Sequence, residues 1–185
     1  MNALPNLLSF LRLLGAPGVF LLAYRGEERY SALLFVLLAL TDALDGFLAR
    51  TLGAETRLGK FLDPLADKVL LFFGLLTVTF RTEQGAHPLL IQLLIVRDSV
   101  LVGGTLLLRR YGFVPEPSLW GKLTTFVLSV TVGVGFLLEL SPDGALRELF
   151  RVLQVCSGVL ILVSAFDYTA KGAGFLLSKL IIEKR

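Results

Sequence analysis

The sequence predicts an all-α integral membrane protein with six transmembrane helices, and three observations carry that reading. Apolar residues make up 55% of the 185 positions and charged residues only 18%, where soluble domains run nearer a quarter charged. The mean hydropathy is correspondingly high, +0.75. The apolar residues come in blocks of about twenty, the length a helix needs to cross roughly 30 Å of hydrocarbon. Lys and Arg gather between the blocks, as they do in loops facing anionic lipid.

The blocks follow in order. The first covers residues 6–24 and ends before the charged stretch Arg25 to Arg29. The second, 31–48, closes just before Arg50, and the third, 62–80, just before Arg81. The fourth, 88–108, opens at the His87-Pro88 loop and stops at Arg109-Arg110. The fifth covers 119–140, up to the Pro142 to Glu148 loop, and the sixth 149–168. Residues 174–182 are too few to span; they lie at the interface or extend the last helix. Strands are not expected, because the blocks are long and a bilayer admits only helices or closed barrels. No internal repeat, low-complexity tract or linker divides residues 1–185, so a single domain is expected.

Composition excludes several classes. The net charge of +3 is spread through loops, with no basic run dense enough for nucleic acid. Cys156 is alone and sits in an apolar block, so no internal disulfide forms. His87 is the sole histidine, and a His/Cys zinc site is excluded by count. No secretory signal is read at the start, because a basic n-region is lacking and Arg12 interrupts the first apolar stretch. With the N-terminus in the cytoplasm, inner segments hold Arg12, Arg50, Arg57, Lys60, Lys68, Arg109, Arg110, Lys122, Lys171, Lys179, Lys184 and Arg185. Outer loops hold Arg25, Arg29, Arg81, Arg147 and Arg151, and Arg97 is left mid-helix. That bias sets the orientation and places the loop between helices two and three on the cytoplasmic side of the inner membrane.

The chemistry gathers around that loop, in TDALDGFLARTLGAETRLGKFLDPLADK, residues 41–68. Asp42 and Asp45 are three apart and Asp63 and Asp67 four apart, so each pair shares a helix face. Ionisable groups at the ends of membrane helices are functional candidates by default. Four carboxylates aimed into one pocket repel unless cations balance them. Oxygen donors alone suit Mg²⁺ or Mn²⁺, and two divalent ions would balance four carboxylates. Gly46 and Ala49 lie four residues after Asp42 and Asp45, and Gly59 four before Asp63. They leave room for a ligand on the carboxylate face, although small residues also mark close helix packing. Arg50 offers a fork of donors to a phosphate, or snorkels to the interface.

At these residues the chain resembles the CDP-alcohol phosphotransferase family. The signature reads Asp42, Asp45-Gly46, Ala49-Arg50, Gly59, Asp63 and Asp67, with every spacing kept. The resemblance implies that Asp42, Asp45, Asp63 and Asp67 are metal ligands. It further implies that Asp67 is the base that deprotonates the acceptor alcohol. Gly46, Ala49, Arg50 and Gly59 would wall the cytidine diphosphate of a CDP-lipid such as CDP-diacylglycerol. The implied reaction is attack of an alcohol on the lipid-side phosphorus, with CMP leaving. A homodimer embedded in membrane lipid is expected from the resemblance, not from particular residues. Gly133, Gly135 and Gly158 serve either an interface or internal packing.

Two further stretches, LPNLLSFLRLLGAP at 4–17 and FLDPLADK at 61–68, are similar to bacterial phosphatidylglycerophosphate synthases, a branch of that family. Their acceptor is glycerol 3-phosphate, a dianion, so the cations Arg97, Lys122, Lys60, Arg109 and Arg110 become acceptor candidates. Arg97 leads, since an arginine within a membrane helix should face the bundle interior. Its structural alternative is a pair with a buried carboxylate, but Asp98 points about 100° away around the helix. Gly121-Lys122 with Thr124 and Thr125 resembles a stretch of the same branch. Arg97-Asp98 instead looks more like CMP-forming cardiolipin synthases, whose acceptor is phosphatidylglycerol. A small ion transporter or channel is a competing class, disfavoured by the absence of a repeat and by acids set toward one side.

Overall fold

In the computed structural model, the residues described are 3–52, 59–82, 85–112 and 118–183, with side chains described within 7–41, 62–82, 85–112 and 118–179. They form six α-helices and, among the described residues, no strand. The helices are α1 (Ala3–Tyr24), α2 (Glu28–Leu52), α3 (Gly59–Phe80), α4 (Leu89–Arg109), α5 (Leu119–Leu140) and α6 (Gly144–Glu183). Each covers one expected block. α6 differs in extent: its 40 residues run through the expected sixth span and the 174–182 segment without a break, so that segment extends the last helix. Among the described residues four helices are long and apolar enough to cross a membrane: α1 over Leu7–Tyr24, α4, α5, and α6 over Gly144–Lys179.

The chain packs as two compact units. The first comprises Met1–Ala86 and Val132–Phe150, the second His87–Thr131 and Arg151–Arg185. In the first, α1 packs on both α2 and α3. α1 is inside out by the standard of a soluble helix. Its buried stripe is Ser9, Arg12, Ala16, Val19 and Ala23, while Leu7, Phe10, Leu11, Leu14 and Leu21 stand about half exposed. The stripe repeats every three or four residues, which is one face of a helix. Small and polar side chains inside with large apolar ones outside is the pattern that lipid imposes, since bulk apolar surface gains nothing by leaving hydrocarbon. Ser31 Oγ donates to the Val19 carbonyl at 2.7 Å and ties α2 to α1.

The end of α1 leaves carbonyls without intrahelical donors. Arg81, just past α3, supplies them: its Nη2 donates to Ala23 O and Tyr24 O, both at 3.3 Å, and its guanidinium lies 5.2 Å from the Tyr24 ring centre. Gly26 has φ +81°, the left-handed backbone that lets α1 turn into α2 without a Cβ clash. Two other glycines work by size. A Cβ at Gly74 would stand 2.7 Å from Phe35 Cε2 and 2.8 Å from Val132 Cγ1. A Cβ at Gly135 would fall on the Val78 side chain and 3.2 Å from Phe150. Gly135 therefore serves internal packing of the first unit, while a Cβ at Gly133 meets nothing within 4 Å.

In the second unit, hydroxyls join α5 to α6. Thr131 and Ser157 share a hydrogen bond at 2.9 Å, and Thr124 Oγ1 donates to Leu160 O at 3.0 Å. All three side chains are fully buried, and such bonds hold membrane helices together where the hydrophobic effect cannot. At the start of α4 the His87 ring Nδ1 accepts from Leu89 N–H at 3.2 Å.

The two α5 glycines make a matched test of the packing. Gly135→Ala should lower the apparent unfolding temperature in detergent, since overpacking costs about 1–3 kcal/mol. Gly133→Ala should leave it unchanged or slightly raised; equal shifts for both would refute the size argument.

Candidate functional site

α3 carries two of the four expected carboxylates where their surroundings are described. Asp63 and Asp67 lie one turn apart near its N-terminal end, on the side met by α1. Ser9 Oγ donates to Asp63 Oδ1, and Arg12 Nη1 donates to Asp67 Oδ1. Ser9 and Arg12 are three residues apart on α1 and both are fully buried. Asp67 keeps 40% of its side chain exposed, so the carboxylate is gripped from the protein side and remains reachable from outside. Pro64 sits between the two acids and withholds an N–H from the ladder of α3.

The other two carboxylates, Asp42 and Asp45, fall on α2, but their side chains lie outside the described residues. The same holds for Gly46, Ala49, Arg50, Gly59 and Lys60. Among the described residues no three metal-ligating side chains come together. The described donors are nevertheless the right kind for a hard divalent cation: carboxylate oxygens on one helix face, with no sulfur or imidazole beside them.

Ser9 and Arg12 were not anticipated as site residues. Arg12 carried the signal: an arginine in the middle of an apolar block is a functional candidate on the same grounds as the aspartates. Reading it only as an inner-side cation concealed its partner. Ser9 carries no comparable signal, since a serine in a membrane helix commonly bonds its own backbone.

Arg97 lies in the second unit and is 94% buried by its 6% exposure. Its Nε and Nη2 donate to Ser164 Oγ at 3.3 and 3.0 Å, and its Nη1 to Asp98 Oδ1 at 2.8 Å. The ion pair with Asp98 corrects the sequence expectation that the neighbouring carboxylate points away. The Cα–Cβ directions do diverge, but the long arginine stem swings its head back over one residue. The guanidinium also stands 5.9 Å from the Tyr168 ring centre. Of its five N–H groups, these contacts use three.

The structure also relocates Arg97. A Cβ at Gly121 would lie 2.9 Å from the Tyr168 hydroxyl and 3.3 Å from Arg97 Nη2. Arg97, halfway along α4, is therefore level with the first turn of α5. Ser118 caps that turn, its Oγ accepting from Gly121 N–H at 3.0 Å. Lys122 follows and is exposed. Thr124 shares its hydroxyl proton between Trp120 O at 2.7 Å and Leu160 O of α6, and Thr125 Oγ1 donates to Gly121 O at 3.1 Å within α5.

Arg109 and Arg110 are not brought to Arg97. They stand twelve and thirteen residues further along the chain, a rise of about 18 Å for a helix, and both are exposed. Arg110 lies 5.2 Å from the Tyr111 ring centre, and Lys179 Nζ donates to Tyr111 O at 2.6 Å. Between these ends, α4 and α6 form a half-open apolar cavity of about 300 Å³ lined by residues such as Val100, Gly104, Leu108, Gly172 and Leu176, with Tyr168 also in its wall. It exists because Gly104 and Gly172 carry no side chains.

Comparison with known proteins gives a consistent kinship. The model of the CDP-alcohol phosphatidyltransferase family matches residues 2–166. The chain is 46% identical over 170 residues to the CDP-diacylglycerol–glycerol-3-phosphate 3-phosphatidyltransferase of Aquifex aeolicus (strain VF5), covering 91% of this chain and 94% of that one. It is 36% identical over 179 residues to a probable phosphatidylglycerophosphate synthase of Mycobacterium tuberculosis, covering 91% and 80%. A cardiolipin synthase (CMP-forming) / mitochondrial hydrolase fusion protein of Schizosaccharomyces pombe is 35% identical over 128 residues, 69% of this chain and 21% of that one. The match over nearly the whole chain, on top of paired α3 carboxylates gripped by buried donors, places it plainly: the chain belongs to the CDP-alcohol phosphatidyltransferase family.

Proposed function

We propose that the protein transfers a phosphatidyl group from CDP-diacylglycerol to glycerol 3-phosphate, releasing CMP and forming phosphatidylglycerophosphate. The carrying observation is the pair Asp63 and Asp67 on one face of α3, each held by a buried donor of α1, in a chain 46% identical to an enzyme named for that reaction. In this reading the protein lies in the inner membrane with all six helices crossing. Its N-terminus and carboxylates are cytoplasmic, where the Lys and Arg bias puts them.

Asp42, Asp45, Asp63 and Asp67 would hold Mg²⁺ or Mn²⁺, two ions by charge balance. Bound there, divalent cations supply charge compensation for the diphosphate and its leaving group. Gly46, Ala49, Arg50 and Gly59 would bound the space for the cytidine diphosphate. Asp67 takes the proton from the acceptor hydroxyl. The freed oxygen attacks the lipid-side phosphorus, and the bond to the CMP oxygen breaks. Asp67 suits the base role because a base must be reachable, and 40% of its side chain is exposed.

For the acceptor phosphate we propose Arg97 and Lys122. Arg97 keeps two N–H groups outside its described contacts, and it stands beside the first turn of α5. A helix N-terminus carries a partial positive charge, so two favourable features for a phosphate meet there, with Lys122 next in the chain. Arg109 and Arg110 drop out of that set on distance. Lys60 stays with the signature stretch as a further cation. A homodimer is proposed on family grounds alone.

A second reading has its own observation. The apolar cavity between α4 and α6 shares Tyr168 with Arg97, so a lipid phosphate at Arg97 would have room for an acyl chain beside it. That arrangement favours a lipid acceptor, phosphatidylglycerol, and hence CMP-forming cardiolipin synthesis.

Purified protein with CDP-diacylglycerol and Mg²⁺ separates the readings. CMP release with glycerol 3-phosphate and none with phosphatidylglycerol is expected; the reverse establishes the second reading. No CMP with either acceptor refutes both and returns a transporter to consideration. Asp67→Asn should still fold, at a lowered unfolding temperature because the buried Arg12 loses its anion, and should cut turnover about a thousandfold or more, the scale of a lost general base with its oriented proton transfer. Appreciable activity in that variant would remove the base assignment. Chelation of divalent cations should stop CMP release, and restoration should follow added Mg²⁺ or Mn²⁺; a chelator-resistant enzyme would sink the metal model.

A further inference from the structure

The two polar ties between α1 and α3 are in register. Ser9 and Arg12 share one face of α1, and Asp63 and Asp67 share one face of α3. Each α1 donor meets one α3 acid, Ser9 with Asp63 and Arg12 with Asp67. Both donors are fully buried in a helix whose other faces are leucine and phenylalanine. Helix association alone does not call for this. In the same unit the α1–α2 tie is a neutral one, Ser31 to the Val19 carbonyl, and removing an arginine head from water is costly unless an anion answers it.

We propose that Ser9 and Arg12 are positioning residues for the signature carboxylates, with Arg12 fixing the orientation from which Asp67 takes the acceptor proton. This rests on the reaction proposed above. Arginine keeps its proton under all conditions a protein meets, so Arg12 is not itself an acid or base; it acts through Asp67. Its planar fork sets direction as well as charge. Asp67 remains 40% exposed while Arg12 is wholly buried, so the grip of Arg12 comes from the protein side.

The test uses the full-length protein in detergent, with CDP-diacylglycerol, glycerol 3-phosphate and saturating Mg²⁺. Arg12→Gln should lower kcat by about 100-fold, the cost of misorienting a reacting group, with KM for CDP-diacylglycerol held within about threefold. Arg12→Lys, which keeps charge but loses the fork, should fall between. Ser9→Ala should give a smaller loss of the same type. A folded Arg12→Gln protein with kcat within about threefold of wild type overturns the proposal, as does a loss that merely tracks the folded fraction. Should Arg12→Gln not fold, Arg12→Lys decides by the same criteria. A second readout needs no turnover: the unfolding temperatures of Arg12→Gln, Asp67→Asn and the double variant. Shifts that fail to add support the contact, and additive shifts refute it. If the wild-type protein released no CMP with any acceptor, the reaction assignment would fall, and with it the role given to Arg12; the unfolding cycle would still report the pair.

Discussion

An arginine shut away from water has to find its anion inside the protein, and the first unit is organised around that requirement. Arg12 lies in the α1 stripe between Ser9 and Ala16 and is fully buried; its carboxylate is on α3. Joining them fixes how far α1 is rotated about its axis and which turn of α3 it faces. Once Arg12 points inward, helical periodicity carries Ser9, Ala16, Val19 and Ala23 inward with it. The leucines and phenylalanine of α1 are left for lipid. Small residues on that stripe let α2 approach closely, and Ser31 then reaches the Val19 carbonyl.

The same pairing divides labour between the two helices. A carboxylate can take a proton and can bind a hard cation; a guanidinium can do neither. A guanidinium can hold a carboxylate in one direction without competing for its proton. In the proposed mechanism, placing the arginine on α1 and the acids on α3 separates the fixed part from the reacting part. The exposure gradient agrees, from wholly buried Arg12 to partly open Asp67. A preorganised carboxylate spends less on reorientation when the acceptor arrives, which is where oriented groups gain rate.

What the sequence made legible was local. Two acids four residues apart must share a helix face, so the Asp63–Asp67 face was readable from spacing, as were six apolar blocks. What depended on a second helix was less readable. Arg12 announces that it needs an anion but not which one, and Ser9 announces nothing. The Arg97–Asp98 pair defeated a backbone argument because side-chain length outreaches a 100° offset. Arg109 and Arg110 looked like allies of Arg97 by composition, yet the helical rise separates them. Length alone left residues 174–182 either at the interface or as an extension of the last helix, and α6 runs through them, glycines included; glycine is more frequent in membrane helices than in soluble ones.

The setting of Arg97 bears on which alcohol the enzyme takes. Asp98 offsets much of the charge of the guanidinium, so Arg97 alone is a weak magnet for a dianion. Its neighbours restore the balance. Gly121 lacks a side chain, and this brings the first turn of α5 to within 3.3 Å of Arg97 Nη2 at the Cβ position. That turn presents its positive end and, one residue on, Lys122. Ser164 orients the guanidinium without adding negative charge. In the proposed site a phosphate would meet the buried fork of Arg97 and a helix N-terminus with Lys122 next in the chain, against the opposing carboxylate of Asp167 bonded to Ser118. A free phosphomonoester uses all three, because its second negative charge needs the extra cations. A phosphodiester, with one charge, would leave Lys122 idle and depend on the apolar cavity beside Tyr168 instead. The convergence of positive features at α5 is thus the stronger physical argument for glycerol 3-phosphate, and the cavity the stronger one for a lipid acceptor. The choice between them is set by charge at Lys122 against apolar burial between Gly104 and Gly172.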